Sequence, residues 1–209
     1  MFPAITPGQN YRRFFFFYLW DIPFRVTLTG AFFVLPRLHE KERLLKMGAT
    51  PIIVHLLSSE SDGTVEGAAK VLAHLCRDCE VNAEIVRLDA IPMLVTLLHS
   101  NERMSTRITA AAALMQISVD LIGKMECNNF GVVMALADAM QENNETLLLY
   151  CLQCVANIGE DNYGRQLLRP LAERIAVLMN HSATSVQHAA MLASRTIHFE
   201  YVGGSGFKK

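Results

Sequence analysis

Two pairs of cysteines are the residues in this sequence with the clearest capacity for chemistry. Cys76 and Cys79 are separated by two residues, and so are Cys151 and Cys154. Four thiolates could hold a structural zinc ion, and a CxxC pair in a βαβ setting could act in thiol exchange. Whether either chemistry is available depends on the elements that carry the two pairs.

The predicted elements argue against both chemistries. One pair lies at the end of a predicted helix and the other inside a helix two repeats later, so they should be about 20 Å apart if neighbouring helices are roughly 8–10 Å apart. A site of His74 with Cys76 and Cys79 stays as a less favoured alternative. The sequence has no recognisable serine, histidine and acid arrangement, phosphate-binding glycine loop or carboxylate pair. We therefore expect no enzyme activity, no metal and no cofactor.

An apolar motif occurs twice in the chain, 41 residues apart. Its first copy is Leu44–Leu57 and its second is Ile85–Leu98, with a proline at the same place in each. A weaker third match, Phe130–Leu136, aligns with Ile91–Leu97 at a spacing of 39 and has glycine in place of the proline. A fixed period of this size predicts stacked structural repeats.

Each repeat is predicted to contain three helices. In the first repeat they cover about residues 37–46, a segment starting at Pro51, and residues 64–76, because glycine and proline separate stretches with helical periodicity. The second repeat starts near Asn82 and the fourth at Asn162. One repeat cannot cover its own apolar faces, so we expect an all-α, right-handed solenoid of about four repeats over residues 37–200.

The two ends of the chain lie outside the repeat pattern. Residues 1–36 contain the aromatic run Phe14–Phe17 and a second apolar run, but Asp21, Pro23 and Arg25 interrupt the roughly 20 apolar residues that a membrane-spanning helix needs. This segment is either an N-terminal cap, a membrane anchor or a stretch specific to one isoform. Residues 201–209 are predicted to be a flexible tail.

Composition limits the class of protein. Hydrophobic residues make up 51% of the 209 residues, as expected of a folded domain, and the net charge of −1 gives no reason to expect a nucleic-acid partner. Five cysteines, an odd number, without a convincing secretory leader indicate reduced thiols. We expect a cytoplasmic location, with the nucleus as an alternative.

The repeat resembles that of the armadillo family, which includes catenin-like and importin-alpha-like solenoids. Residues 48–57 and 89–98 resemble the family's motif Gly-Ala-Ile-Pro-x-Leu-Val-x-Leu-Leu, and residues 154–158 resemble its motif Ala-Leu-x-Asn-Leu. The resemblance covers about residues 37–200. Importin-alpha-like proteins pair a groove tryptophan with the asparagine, whereas Trp20 is the only tryptophan here and precedes the repeats. This difference argues against binding of nuclear-localisation peptides.

The resemblance implies a non-catalytic scaffold whose third helices line a concave groove, with the asparagine position facing a protein partner. That position is occupied by His74, Gln116 and Asn157, and by Arg195 or Thr196 in the fourth repeat; Lys70, Ala112 and Gln153 lie four residues earlier. Side chains that both donate and accept can bind the backbone of an extended peptide, and a helix is the alternative ligand. A simple solvated face, a membrane-anchored adaptor and a thiol or zinc protein are the other interpretations. No small-molecule substrate is expected.

Overall fold

The structure is a computed structural model that describes Leu45 and residues 48–99 and 101–198. Every regular element in these ranges is helical. The predictions made for residues 1–36 and 201–209 lie outside the described residues, as does most of the helix predicted over residues 37–46.

The described helices form four groups that follow the predicted repeats. The first group contains α1 (Thr50–His55) and α2 (Asp62–Leu75); the second α3 (Cys79–Arg87), α4 (Ala90–Leu98) and α5 (Met104–Ile117); the third α6 (Leu121–Asn129), α7 (Val132–Ala139) and α8 (Glu145–Ile158); the fourth α9 (Asn162–Leu168), α10 (Ala172–Leu178) and α11 (Thr184–Ile197). Short 3₁₀ turns follow α1 at Leu56–Ser58 and α9 at Arg169–Leu171. The fold is therefore the all-α repeat solenoid that was predicted.

Helix starts differ from the predictions by a few residues. The third helices of the first two repeats begin two residues earlier than predicted, at Asp62 and Met104. The second repeat begins at Cys79 rather than at Asn82, because the Asp78 side chain accepts hydrogen bonds from the first-turn backbone amides of α3. Cys79 is thus the first residue of a helix.

A left-handed residue lies just before the second helix of three repeats. Gly48, Asp89 and Gly131 have φ angles of 65°, 57° and 70°. Gly131 therefore corresponds to Asp89, at a spacing of 42, and the predicted alignment of the third repeat at a spacing of 39 is wrong. A positive φ is costly for most residues, which explains why glycine occupies two of the three positions.

The third helices form the closest-packed column of the solenoid, in which α2, α5, α8 and α11 contact one another in that order. Small side chains allow this close approach: Ala68, Ala69, Ala110, Ala111 and Ala113 are fully buried. A single apolar cluster continues from the first repeat to the fourth. Each third helix is therefore held by its neighbours rather than by its own repeat alone.

Glycines allow the first helices to contact the preceding repeat. A Cβ atom placed on Gly123 would lie 1.8 Å from the carbonyl oxygen of Ile117, and one on Gly164 would lie 2.2 Å from that of Ile158. The backbone of α6 therefore touches the last turn of α5, and α9 touches the last turn of α8. These contacts hold α6 against the end of α5 and α9 against the end of α8.

A buried arginine connects the second repeat to the third. The Arg107 side chain is 3% exposed, and its Nε donates to the carbonyl oxygen of Leu98 at 3.1 Å. Its Nη1 lies 2.8 Å from Oε1 of Glu142, which precedes α8. One guanidinium thus closes the end of α4 and also binds the next repeat.

Candidate functional site

Two rows of side chains run across the third helices at matching positions. All four third helices contain 14 residues, and the thirteenth residue is His74, Gln116, Asn157 and Thr196 in turn. The ninth residue is Lys70, Ala112, Gln153 and Leu192 in turn. Counted in this way, Thr196 is the fourth member of the first row, and the exposed Arg195 lies one residue before it. We refer to these two sets as the thirteenth row and the ninth row.

Gln116 and Gln153 present uncommitted amides. Both side chains are half-buried, and neither makes a hydrogen bond to any residue that the structure describes. Gln116 lies on α5 and Gln153 on the neighbouring α8. An amide that both donates and accepts, held at the surface without an internal partner, is suited to binding a peptide backbone.

Asn157 has an internal role. Its Nδ2 donates to the carbonyl oxygen of Met115 at 3.0 Å and to Oγ of Ser118 at 3.1 Å. The buried Ser118 hydroxyl in turn donates to the same Met115 carbonyl at 2.8 Å. Asn157 therefore ties α8 to the end of α5, which leaves its Oδ1 as the atom that could accept a bond from a partner.

The positive charge of Lys70 in the ninth row is largely balanced. Lys70 forms an ion pair with Glu66, one helical turn earlier, and Glu66 also accepts a hydrogen bond from Oγ of Ser105 at 2.7 Å. The bonds from Lys70 and Ser105 hold the pKa of the Glu66 carboxyl below its ordinary value. Glu66 is therefore ionised at neutral pH and offsets the charge of Lys70.

His74 adds little positive charge. Its ring lies at the exposed end of α2, but partial burial lowers the imidazole pKa and the nearby Arg77 lowers it further. An imidazole whose pKa is below the usual value of about 6.5 is mostly neutral at pH 7. The thirteenth row is therefore close to neutral from His74 through Asn157.

The cysteines are mostly core residues. Cys151 and Cys154 are fully buried, and Cys127 is buried as well. Burial raises the pKa of the Cys154 thiol to about 12, opposed by a hydrogen bond with Ser118, and burial also raises the pKa of Cys151. These thiols stay protonated at neutral pH and are poor nucleophiles and metal ligands.

The remaining alternatives gain no support from the described part of the chain. There, no group of three or more histidine, cysteine or acidic side chains is arranged to hold a metal ion, and this includes the grouping of His74 with Cys76 and Cys79. In residues 48–99 and 101–198, every helix is too short or too polar to cross a membrane. The apolar segment that suggested an anchor, residues 1–36, lies outside these ranges.

An exposed apolar group on α6 was missed by the sequence analysis. Leu121, Ile122 and Met125 are 66%, 53% and 55% exposed. Their spacing of one and three residues could have identified a helix with one apolar face. The start of the third repeat has no strong match to the motif, however, so the sequence gives no bounds for its first helix.

Comparisons with known proteins identify the repeat. The family described as Armadillo/beta-catenin-like repeat matches residues 39–77. A designed armadillo repeat protein in complex with the peptide (KR)4 is 19% identical, with a TM-score of 0.75 over 86% of this chain and 79% of the designed one. Residues 39–77 therefore match an armadillo-like repeat, and the chain has the fold of armadillo repeat proteins. Comparison with curated protein sequences gave no significant match.

Further solved structures share this armadillo-like fold. Computationally designed armadillo repeat proteins for modular peptide recognition are 20% identical, with a TM-score of 0.74 over 86% of this chain and 79% of theirs. An engineered protein, Northeast Structural Genomics Consortium target OR329, is 22% identical with a TM-score of 0.71 over 75% of this chain. The armadillo-like chain spans 65% of the length of that engineered protein.

Proposed function

We propose that this protein is a non-catalytic scaffold that holds an extended segment of a partner protein along its third helices. The observation that carries the proposal is the pair of uncommitted amides, Gln116 and Gln153, on neighbouring helices. The fold supports it, because long regular surfaces of stacked repeats are what solenoid proteins use for binding. A similar designed protein is known in complex with a peptide.

The proposed mechanism is presentation at fixed spacing. Third helices lie about 8–10 Å apart, and an extended chain rises about 3.3 Å per residue, so each repeat meets roughly every third residue of the partner. An amide at each step can donate to a peptide carbonyl and accept from a peptide N–H. Because α5 and α8 are fixed by Arg107 and by the Gly164 contact, the amides need little reorganisation before binding.

The proposed partner segment is recognised mainly through its backbone. Lys70 is balanced by Glu66, and His74 is mostly neutral at pH 7. A strongly charged segment would therefore find little complementary charge in the ninth and thirteenth rows. This differs from the designed protein whose bound peptide is (KR)4.

The predicted cytoplasmic or nuclear location remains a prediction.

Selection from a random peptide library tests the proposal and does not require that the partner be identified first. Peptides selected on the wild-type protein should bind the double variant Gln116→Ala, Gln153→Ala about tenfold or more weakly, because each lost hydrogen bond costs about 0.5–1.5 kcal/mol. Asp138→Ala, on the exposed surface of α7, is the control and should bind like the wild type. Equal binding by the double variant and the control would contradict the proposal that Gln116 and Gln153 bind the peptide.

A further inference from the structure

Five large apolar side chains form an exposed surface around α6. They are Val119, Leu121, Ile122, Met125 and Tyr163, and each is between 53% and 66% exposed. Leu121 and Ile122 lie one turn before Met125, so the three share a face of α6. Tyr163 is the second residue of α9, as Ile122 is of α6, and these two helices are in contact. We call this surface the α6 patch.

The fold does not require apolar residues at these positions. In α3, which is the equivalent helix of the second repeat, the first, second and fifth residues are Cys79, Glu80 and Ala83. Glu80 is exposed and occupies the place that Ile122 has in α6. The same helix can therefore be built with a charged or a small residue, and the apolar side chains of α6 need a reason other than packing.

The backbone that carries the patch is held firmly. Asp120 caps α6 by accepting from the Gly123 amide at 2.8 Å, and it also accepts from the Asn82 side chain. Gly123 lies against the carbonyl oxygen of Ile117, so α6 cannot move toward α5. A surface fixed in this way loses little conformational freedom when a partner binds.

The charges around the patch are predominantly acidic. Asp120, Glu126, Glu160 and Asp161 adjoin it in sequence, and the cations in the same stretches are Lys124 and Arg165. Lys124 is 9% exposed and pairs with Glu160. Arg165 donates to the carbonyl oxygens of Gly159 and Glu160, both at 3.0 Å. Lys124 and Glu160 thus balance each other, whereas Asp120 and Asp161 cap α6 and α9 through neutral backbone amides and keep their charge. Together with the partly exposed Glu126 next to Met125, they outnumber the remaining cation, Arg165.

We infer that the α6 patch is a second docking surface, separate from the ninth and thirteenth rows, for an amphipathic partner helix with apolar residues on one face and lysine or arginine beside them. The apolar face covers the patch, and the basic residues meet the acidic side chains that border it. Apolar burial supplies most of the affinity, and the charge pairing supplies the preference for a basic helix.

A synthetic peptide pair tests the inference. The probe is a helical peptide of about four turns with leucine at positions i, i+3, i+4 and i+7 and lysine on the remaining surface; its match has glutamate for every lysine. Titration followed by backbone amide chemical shifts should move signals of α6 and α9 and leave those of Gln116 and Gln153 in place. The lysine peptide should bind about tenfold or more tightly than the glutamate peptide, and the difference should shrink as salt is added.

Two variants test whether the α6 patch and its acidic neighbour bind the lysine peptide. The first is a triple variant, Leu121→Asn, Ile122→Gln, Met125→Ala. Its new residues match or resemble those at the equivalent positions of α9 and α3, so the fold should tolerate them. It should bind the lysine peptide about tenfold or more weakly. Glu126→Lys leaves the apolar residues in place and should weaken only the lysine peptide. Normal helix content in both variants, measured by circular dichroism, excludes unfolding as the cause.

Several results would overturn the inference. These are equal binding of the two peptides, unchanged binding by the triple variant, and shifts confined to α5 and α8. Self-association of the wild type that the triple variant abolishes would make a second copy the occupant. Tighter peptide binding after deletion of residues 1–36 would make that segment, with its Arg12, Arg13 and aromatic run, the occupant.

Discussion

The side-chain amide of Asn157 lies 3.0 Å from the carbonyl oxygen of Met115, one repeat earlier in the chain. The residue that best matches the family's asparagine therefore binds the protein itself through Nδ2. Gln116 and Gln153 have no such bond to any described residue. A variant of all three residues would mix loss of binding with loss of stability, and the two glutamines are the cleaner test of the binding surface.

Replacement of Asn157 by alanine should lower the free energy of unfolding by about 1–2 kcal/mol, because two hydrogen bonds between α8 and the end of α5 are lost. Gln116→Ala is the matched control at the same position of the preceding third helix and should change stability by less than about 0.5 kcal/mol. Urea denaturation measures both. Equal losses in the two variants would contradict an internal role specific to Asn157.

Arg107→Met should destabilise the protein by about 2–3 kcal/mol, since the Leu98 carbonyl and the Glu142 carboxylate both lose their partner. The control is Arg103→Met, which breaks an ion pair with Asp62 in which the two side chains are 72% and 49% exposed. An exposed pair of this kind contributes about 0–1 kcal/mol. Thermal and urea unfolding should separate the two variants, and similar stabilities would argue that the buried guanidinium does not hold the repeats together.

Gly164→Ala should cost about 1–3 kcal/mol, because the added methyl group would lie 2.2 Å from the Ile158 carbonyl oxygen and would force α9 away from α8. Gly63 is also helical, but it has open space where a Cβ would be. Gly63→Ala should therefore stabilise the protein by up to about 1 kcal/mol. Opposite signs in denaturant midpoints are expected, and two losses of similar size would show that the close contact is not the cause.

Thiol alkylation at pH 8 should modify Cys79 first, because it is the exposed cysteine, while Cys76, Cys127, Cys151 and Cys154 react only as the protein unfolds. Mass spectrometry of peptides after timed alkylation gives the rate for each site. Fast modification of Cys154 in the folded protein would contradict its burial.

The raised thiol pKa values also predict a pH dependence. In the unfolded chain a cysteine loses its proton near pH 9, whereas the folded Cys154 holds its proton to about pH 12. The unfolded state therefore binds fewer protons above pH 9, and the free energy of unfolding should fall as the pH rises from there. Below pH 8 this contribution should be constant, and urea denaturation at several pH values measures it.

The regular part of the fold was predictable because its signals are local. Gly48 and Pro51 mark the entry to a second helix, and the apolar motif around Pro51 recurs around Pro92, which gives the period of 41 residues. The third repeat was misaligned because Gly131 was matched to the proline, whereas it fills the left-handed position of Asp89. A left-handed position is harder to recognise in a sequence than a proline, because asparagine, aspartate and glycine can all adopt that conformation.

The candidate binding surface was predictable only in its spacing. The period places His74, Gln116 and Asn157 at one position of successive third helices. It does not show that Asn157 reaches Met115, because that bond joins residues 42 apart and depends on how closely α8 packs on α5. The exposure of the α6 patch could not be predicted for a related reason. The sequence pattern of an apolar helix face is the same whether or not a neighbouring helix covers that face.

The most direct test of the scaffold is to locate a bound peptide. Backbone amide chemical shifts should be recorded on the wild-type protein with a peptide selected from a random library. The proposed function predicts shifts along α5 and α8, centred on Gln116 and Gln153, and their loss in the double alanine variant. Shifts confined to the second helices α4 and α7, with the third helices unaffected, would contradict it.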